Sequence, residues 1–109
     1  MNIDVNALTT TMREAAANAV SDRWPAIRAI AEAELRKLAQ TLEDVNQLLS
    51  DGTIDQSRAT ELVRMQQTTA LTVLRTVQGL GLLTARQTID AATRAAGAVV
   101  NRLVGFDLI

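Results

Sequence analysis

The sequence predicts an all-α protein, an antiparallel helical bundle of three to four helices. Three observations predict it. Apolar residues recur at steps of three and four along almost the whole chain, with no convincing run of period-two alternation. The pattern is interrupted at 21–25, 50–53 and 78–83, by residues that stop or start helices. The chain has 109 residues, 48% of them apolar and only 2% aromatic. That is the length of one helical domain, 1–109. Its core must be built from Leu, Ile, Val and Ala. A domain of this size buries roughly 65% of the surface its unfolded chain exposes, and small side chains each remove little area from water, at about 25 cal/mol per Å². A core this thin is often completed by a partner subunit, so a homo-oligomer is expected, with a dimer favoured.

The first helix is expected over about 4–20. Val5, Leu8, Met12, Ala15 and Ala19 share one face, and Asp4 is placed to cap the amino end. Ser21-Asp22-Arg23-Trp24-Pro25 then breaks the chain. Proline costs about 3 kcal/mol inside a helix but is tolerated in its first turn. Asp22 as N-cap would put Pro25 there; the alternative is one kinked helix running through. The second helix, about 25–50, has the clearest stripe: Trp24, Ile27, Ala31, Leu35, Leu38, Leu42, Val45 and Leu49. Glu32 and Arg36 stand at the spacing of a favourable i,i+4 pair. Gly52 offers a left-handed end.

Thr53-Ile54-Asp55-Gln56 reads as a capping box, with Thr53 as the cap. A third helix follows over about 54–78, with Ala59, Val63, Gln66, Ala70, Val73 and Val77 in line. Two helices of similar length joined by a tight turn pack as an antiparallel hairpin. Gln78-Gly79-Leu80-Gly81-Leu82-Leu83 is an unusually apolar turn. Its two glycines disfavour a continuous helix, and Thr84-Ala85-Arg86-Gln87 is a second capping-box pattern. The fourth helix is therefore expected over about 84–104, ending at Gly105. Its stripe is Leu82, Ala85, Ile89, Ala92, Ala96, Val99 and Leu103. The alternative fuses the last two helices into a rod over 54–104, about 75 Å long.

Composition removes most catalytic chemistry. The chain has no histidine and no cysteine. It therefore lacks an imidazole base, a thiolate nucleophile and the usual zinc and iron–sulfur ligands. Glu32 and Glu34 diverge on a helix, as do Glu43 and Asp44, so no pair has the Glu-x-x-Glu spacing of carboxylate-bridged metals. Residues 47–58 fail the calcium-loop template, because Gln47 and Arg58 stand where carboxylates are needed. Lys37 is the single lysine and reads as a surface residue. No catalytic residue, metal or cofactor is expected.

Charge is uneven along the chain. Residues 1–61 hold ten acids against six bases, and residues 62–109 hold two acids against five. Arg64, Arg75 and Arg86 are spaced by eleven and would share a face on a continuous helix. Such a face suits an anionic surface, nucleic acid or lipid headgroups, or is simply solvated. A net charge of -1 makes nucleic acid an unlikely partner. No basic-then-apolar leader is visible at the start, and no stretch reaches 18 uninterrupted apolar residues. A cytoplasmic protein that does not span a membrane is expected. Arginine outnumbers lysine ten to one, as in proteins of GC-rich genomes.

The functional expectation is a non-catalytic bundle acting by self-association or by binding a protein partner. Helical hairpins of this composition occur among adaptor, assembly and phage structural proteins, which is a fold-level analogy. Alanine-rich seams allow close helix approach, and the expected interface is Ile89, Ala92, Ala96, Val99 and Leu103. Trp24 and Phe106 are either anchors for a partner or lids on the bundle. Gln66 interrupts an apolar line, where a polar side chain can fix register or oligomer state. The apolar segment 104–109 is expected to dock, on its own bundle or on a neighbour. One alternative lays the first and fourth helices on a membrane or polymer surface, with Arg86, Arg94 and Arg102 at the rim. A second is a small-ligand pocket near Gln66.

Overall fold

A computed structural model describes residues 2–109 and contains four helices in chain order. They are α1 (Val5–Ala19), α2 (Trp24–Ser50), α3 (Gln56–Arg75) and α4 (Leu82–Val104). Among the described residues there is no strand. Successive helices run antiparallel. α1 packs on both α2 and α4, α3 packs on α2, and α3 and α4 touch over less of their length. The bundle measures 43 × 22 × 18 Å. Among the described residues, no helix is long and apolar enough to cross a membrane.

α1 starts where Asp4 accepts a hydrogen bond from the Ala7 N–H at 3.0 Å, as the sequence predicts. Its buried face is rotated from the expected one. Leu8, Thr9, Met12 and Ala16 are buried, whereas Ala15 is half-buried and Ala19 exposed. In the run Ala15-Ala16-Ala17, composition alone does not say which alanine faces inward.

The break between α1 and α2 is real, but Asp22 does not cap α2. Arg23 occupies the cap position without a side-chain bond, and Pro25 lies in the first turn. Backbone bonds hold this turn: Arg23 and Trp24 N–H both donate to the Val20 carbonyl at 2.9 Å. The α2 stripe from Ile27 to Val45 is buried as read. The expected Glu32–Arg36 pair does not form. Glu32 meets Arg28 at 3.2 Å and Arg13 of α1 at 3.9 Å. Arg36 donates to Asn6 Oδ1 at 2.9 Å instead. With Ile3 N–H to Glu43 and Gln47 to Asn2, these contacts set the antiparallel register of α1 on α2.

α3 begins later than the capping box suggests. Asp55 is its cap, accepting from the Arg58 N–H at 2.8 Å, and Thr53 lies in the turn after the left-handed Gly52. The buried line passes through Ala59, Val63, Ala70 and Leu74. Val73 and Val77 are only half-buried. The long rod does not form. Gly79 and Gly81 have φ of +81° and +79°, a region that side chains beyond glycine rarely enter. α4 starts directly after them, without a side-chain cap, so Thr84 is inside the helix. Its buried line is Ala85, Ile89, Ala92, Ala96 and Val100.

The segment after Gly105 folds back on α4. Asn101 Oδ1 accepts from the Leu108 and Ile109 N–H groups at 2.8 and 3.0 Å, and its Nδ2 donates to the Ile109 carbonyl at 3.0 Å. Leu108 is thereby buried. The expected docking is onto the chain's own bundle.

Candidate interaction surfaces

Three of the five expected α4 interface residues are not available to a partner. Ile89, Ala92 and Ala96 lie in the buried core, on the helix that packs most extensively against α1. The close-approach surface that alanine provides is used inside the chain. The stripe drifts because steps of exactly three and four track 3.5 residues per turn, while a straight helix has 3.6. By the fourth turn Val100 has replaced Val99 on the inside, and Val99 is 52% exposed.

Val99 and Leu103 instead line an open groove between α1 and α4. Its volume is about 580 Å³. Ile3, Ala7 and Leu8 form the facing wall, and Asp4 and Arg102 stand at its rim. Ala95 and Ala91, both half-buried, continue the Val99 line by steps of four. Here an apolar surface with small side chains faces solvent along two helices.

Trp24 and Phe106 are both half-buried and packed against the core. Phe106, with Leu49, Leu103 and Val104, walls a hollow of about 420 Å³ at one end of the bundle. Leu103 therefore separates this hollow from the α1–α4 groove.

The arginines do not form one face. Arg64 and Arg86 line a small groove between α3 and α4 that also contains Asp90, and Arg75 lies outside it in the last turn of α3. The neighbouring hydroxyls are satisfied locally: Thr69, Thr72 and Thr76 donate to backbone carbonyls of their own helix. Gln66 is half-exposed rather than a core residue. Its neighbour Gln67 makes the bond between helices, to Thr93 Oγ1 at 3.2 Å.

Charge is also sorted in space. Among the described residues, the four ion pairs all involve residues 13–61. Among the described residues, none of the five arginines of 62–109 makes an ion pair. Antiparallel packing puts the 20–24 and 76–83 turns at one end, with Arg23, Arg75 and Arg86 against Asp22. The opposite end carries Asp4, Asp51, Asp55 and Asp107 against Arg58 and Arg102, with Asp107 also lining the flank of α4 near Arg94.

Sequence reasoning missed two features. Leu83, 70% exposed, stands beside Leu82, 42% exposed, at the basic end. The apolar composition of the 78–83 turn was the available signal. Glu34 is buried at 3% exposure, paired only with Lys37 at 3.0 Å. Among the described residues, no group of three or more carboxylates is placed to hold a metal ion. The arrangement defines the chain as an all-α bundle with an uncovered apolar groove and oppositely charged ends. No family model, curated protein or solved structure matches it.

Proposed function

We propose that this chain is a non-catalytic assembly protein, acting by self-association or by binding a partner helix. The α1–α4 groove carries the reading. The core is filled, yet Val99 and Leu103 line an apolar groove that nothing in the chain covers. Alanines flank it and permit close approach of another helix, and a twofold dimer about the groove is the simplest such assembly. The same reading has the protein working in the cytoplasm.

The test is absolute mass by light scattering on a sizing column over a wide range of concentrations. A species larger than one chain is expected, and Val99→Glu is expected to abolish the groove contact while leaving the melting temperature nearly unchanged. A native chain that stays monomeric throughout, and retains no protein partner through this groove, sinks the proposal.

A further inference from the structure

We propose that copies of this chain also associate end to end, the basic tip of one seating in the acidic hollow of the next. The inference rests on the self-association reading but uses residues outside the α1–α4 groove. Leu82 and Leu83 are exposed at the tip, where the connector after α3 turns into α4. Arg86 follows Leu82 by about one turn of α4, and Arg75 at the end of α3 and Arg23 just before α2 lie at the same end of the bundle; among the described residues none of these side chains has an ion-pair or hydrogen-bond partner. Two exposed apolar side chains at an end that carries three unpaired guanidinium groups make a plug that suits a socket with an apolar wall and negative charge.

The other end of the same molecule supplies such a socket. Leu49, Leu103, Val104 and Phe106 form the apolar part of the hollow's wall, with Asn46, Ser50 and Gln56 completing it, and the hollow has room for a pair of leucine side chains. Asp51, Asp55 and Asp107 are exposed and adjoin its lining residues in sequence. Of these, Asp55 caps α3 through the Arg58 N–H, and the Asp51 and Asp107 side chains have no partner among the described residues. The arginines nearest this end are otherwise placed: Arg58 meets Glu61 at 3.3 Å, and Arg102 faces the groove beyond Leu103.

Charge decides the symmetry. Tip against tip, or hollow against hollow, would oppose like charges, which costs affinity. Tip against hollow is heterologous, and a heterologous contact that does not close into a ring grows into open chains. Size decides the strength. The end face is about 22 × 18 Å, well below the area of a standard stable interface. The contact is therefore weak and builds up only at high protein concentration.

The experiment uses the full chain carrying Val99→Glu, so that the groove contact is removed, with mass measured by light scattering up to near-millimolar concentration at low salt. Average mass is expected to rise continuously with concentration and to fall as salt screens the ends. Adding Leu83→Glu or Phe106→Glu should each raise the concentration needed for pairing by about tenfold or more. Mixing these two variants should restore a two-chain species and nothing longer, because only one tip and one hollow remain intact. Circular dichroism checks that each variant folds; Asp107→Arg replaces Phe106→Glu if it does not. The end-to-end contact is overturned, and the groove reading kept, if the Val99→Glu chain stays monomeric while the native chain pairs. A native chain that is monomeric at every concentration removes both. If the Val99→Glu chain stays monomeric but floats with phosphatidylserine vesicles in a Leu83-dependent way, the tip is a lipid site and the proposal falls.

Discussion

On α2, the side chain at position 34 brings a carboxylate into the packed face between α2 and its neighbours. Lys37 neutralises one oxygen of Glu34, and Oε1 is buried with no hydrogen-bond partner. A buried charge with an unsatisfied oxygen contributes little, and an apolar side chain of similar volume often does better. Glu34→Met is expected to stabilise the fold by about 1 kcal/mol, raising the melting temperature by about 4 °C. A lower melting temperature in a calorimetric scan would contradict this account. Asn101 is the opposite case, since all three of its hydrogen bonds hold the returning segment against α4. Asn101→Ala leaves the half-buried N–H and carbonyl of Ile109 without this partner, while the Leu108 N–H keeps the Phe106 carbonyl, and should cost about 1–3 kcal/mol. Hydrogen exchange should show the amides of Leu108 and Ile109 losing protection first; unchanged protection would mean that packing of Leu108 suffices.

At the scale of elements, α1 and α4 are joined through alanine. Ala92 and Ala96 of α4 are fully buried in the core, and their small size permits close approach of the helices packed on α4. Ala96→Leu should overpack the seam and cost about 1–3 kcal/mol of folding stability. The effect belongs to the monomer, so it should appear equally at concentrations below and above association. A loss seen only in the associated state would return Ala96 to a subunit interface. The turn between α3 and α4 depends on backbone freedom instead. A Cβ at Gly81 meets nothing within 4 Å, so the cost of Gly81→Ala, about 1–3 kcal/mol, comes from its backbone alone, whose φ of +79° and ψ of 154° lie in a region essentially reserved for glycine. Chemical denaturation measures this directly, and a neutral result would mean that the turn tolerates another conformation.

Over the whole molecule, among the described residues, the five arginines of residues 62–109 are free of ion pairs, whereas every pair lies within residues 13–61. Exposed, unpaired charges contribute little to folding, and surface changes of this kind usually fall within about 0.5 kcal/mol. Arg75→Gln and Arg86→Gln should therefore leave the melting temperature unchanged while weakening the salt-dependent part of association. A clear drop in melting temperature would show that these guanidinium groups support the fold.

The sequence by itself left open the breaks at 21–25 and 78–83, both of which the structure shows, and determined the fold class, the α2 stripe and the stop at Gly105. All of these follow from local rules: apolar spacing, Asp4 as a cap, Pro25 in a first turn, glycine after a helix. Tertiary structure decided which face each alanine-rich helix buries. Ala15 and Ala16 are equally apolar, and so are Val99 and Val100; only the position of the neighbouring helix distinguishes them. The same holds for Arg36, which packing gives to Asn6 of α1, while Glu32 keeps a local pair with Arg28 and gains Arg13 across the helices. Asp55, two residues on, takes the cap that Thr53 was expected to fill, a local choice between two capping side chains. The candidate site was legible at Val99, Leu103 and Phe106 and misread at Ile89, Ala92 and Ala96, because a close-approach seam looks the same in sequence whether its partner helix comes from another chain or from this one. The charged ends were hidden for a related reason: Arg23 and Arg86 are 63 residues apart in sequence, and only antiparallel packing brings them to one tip.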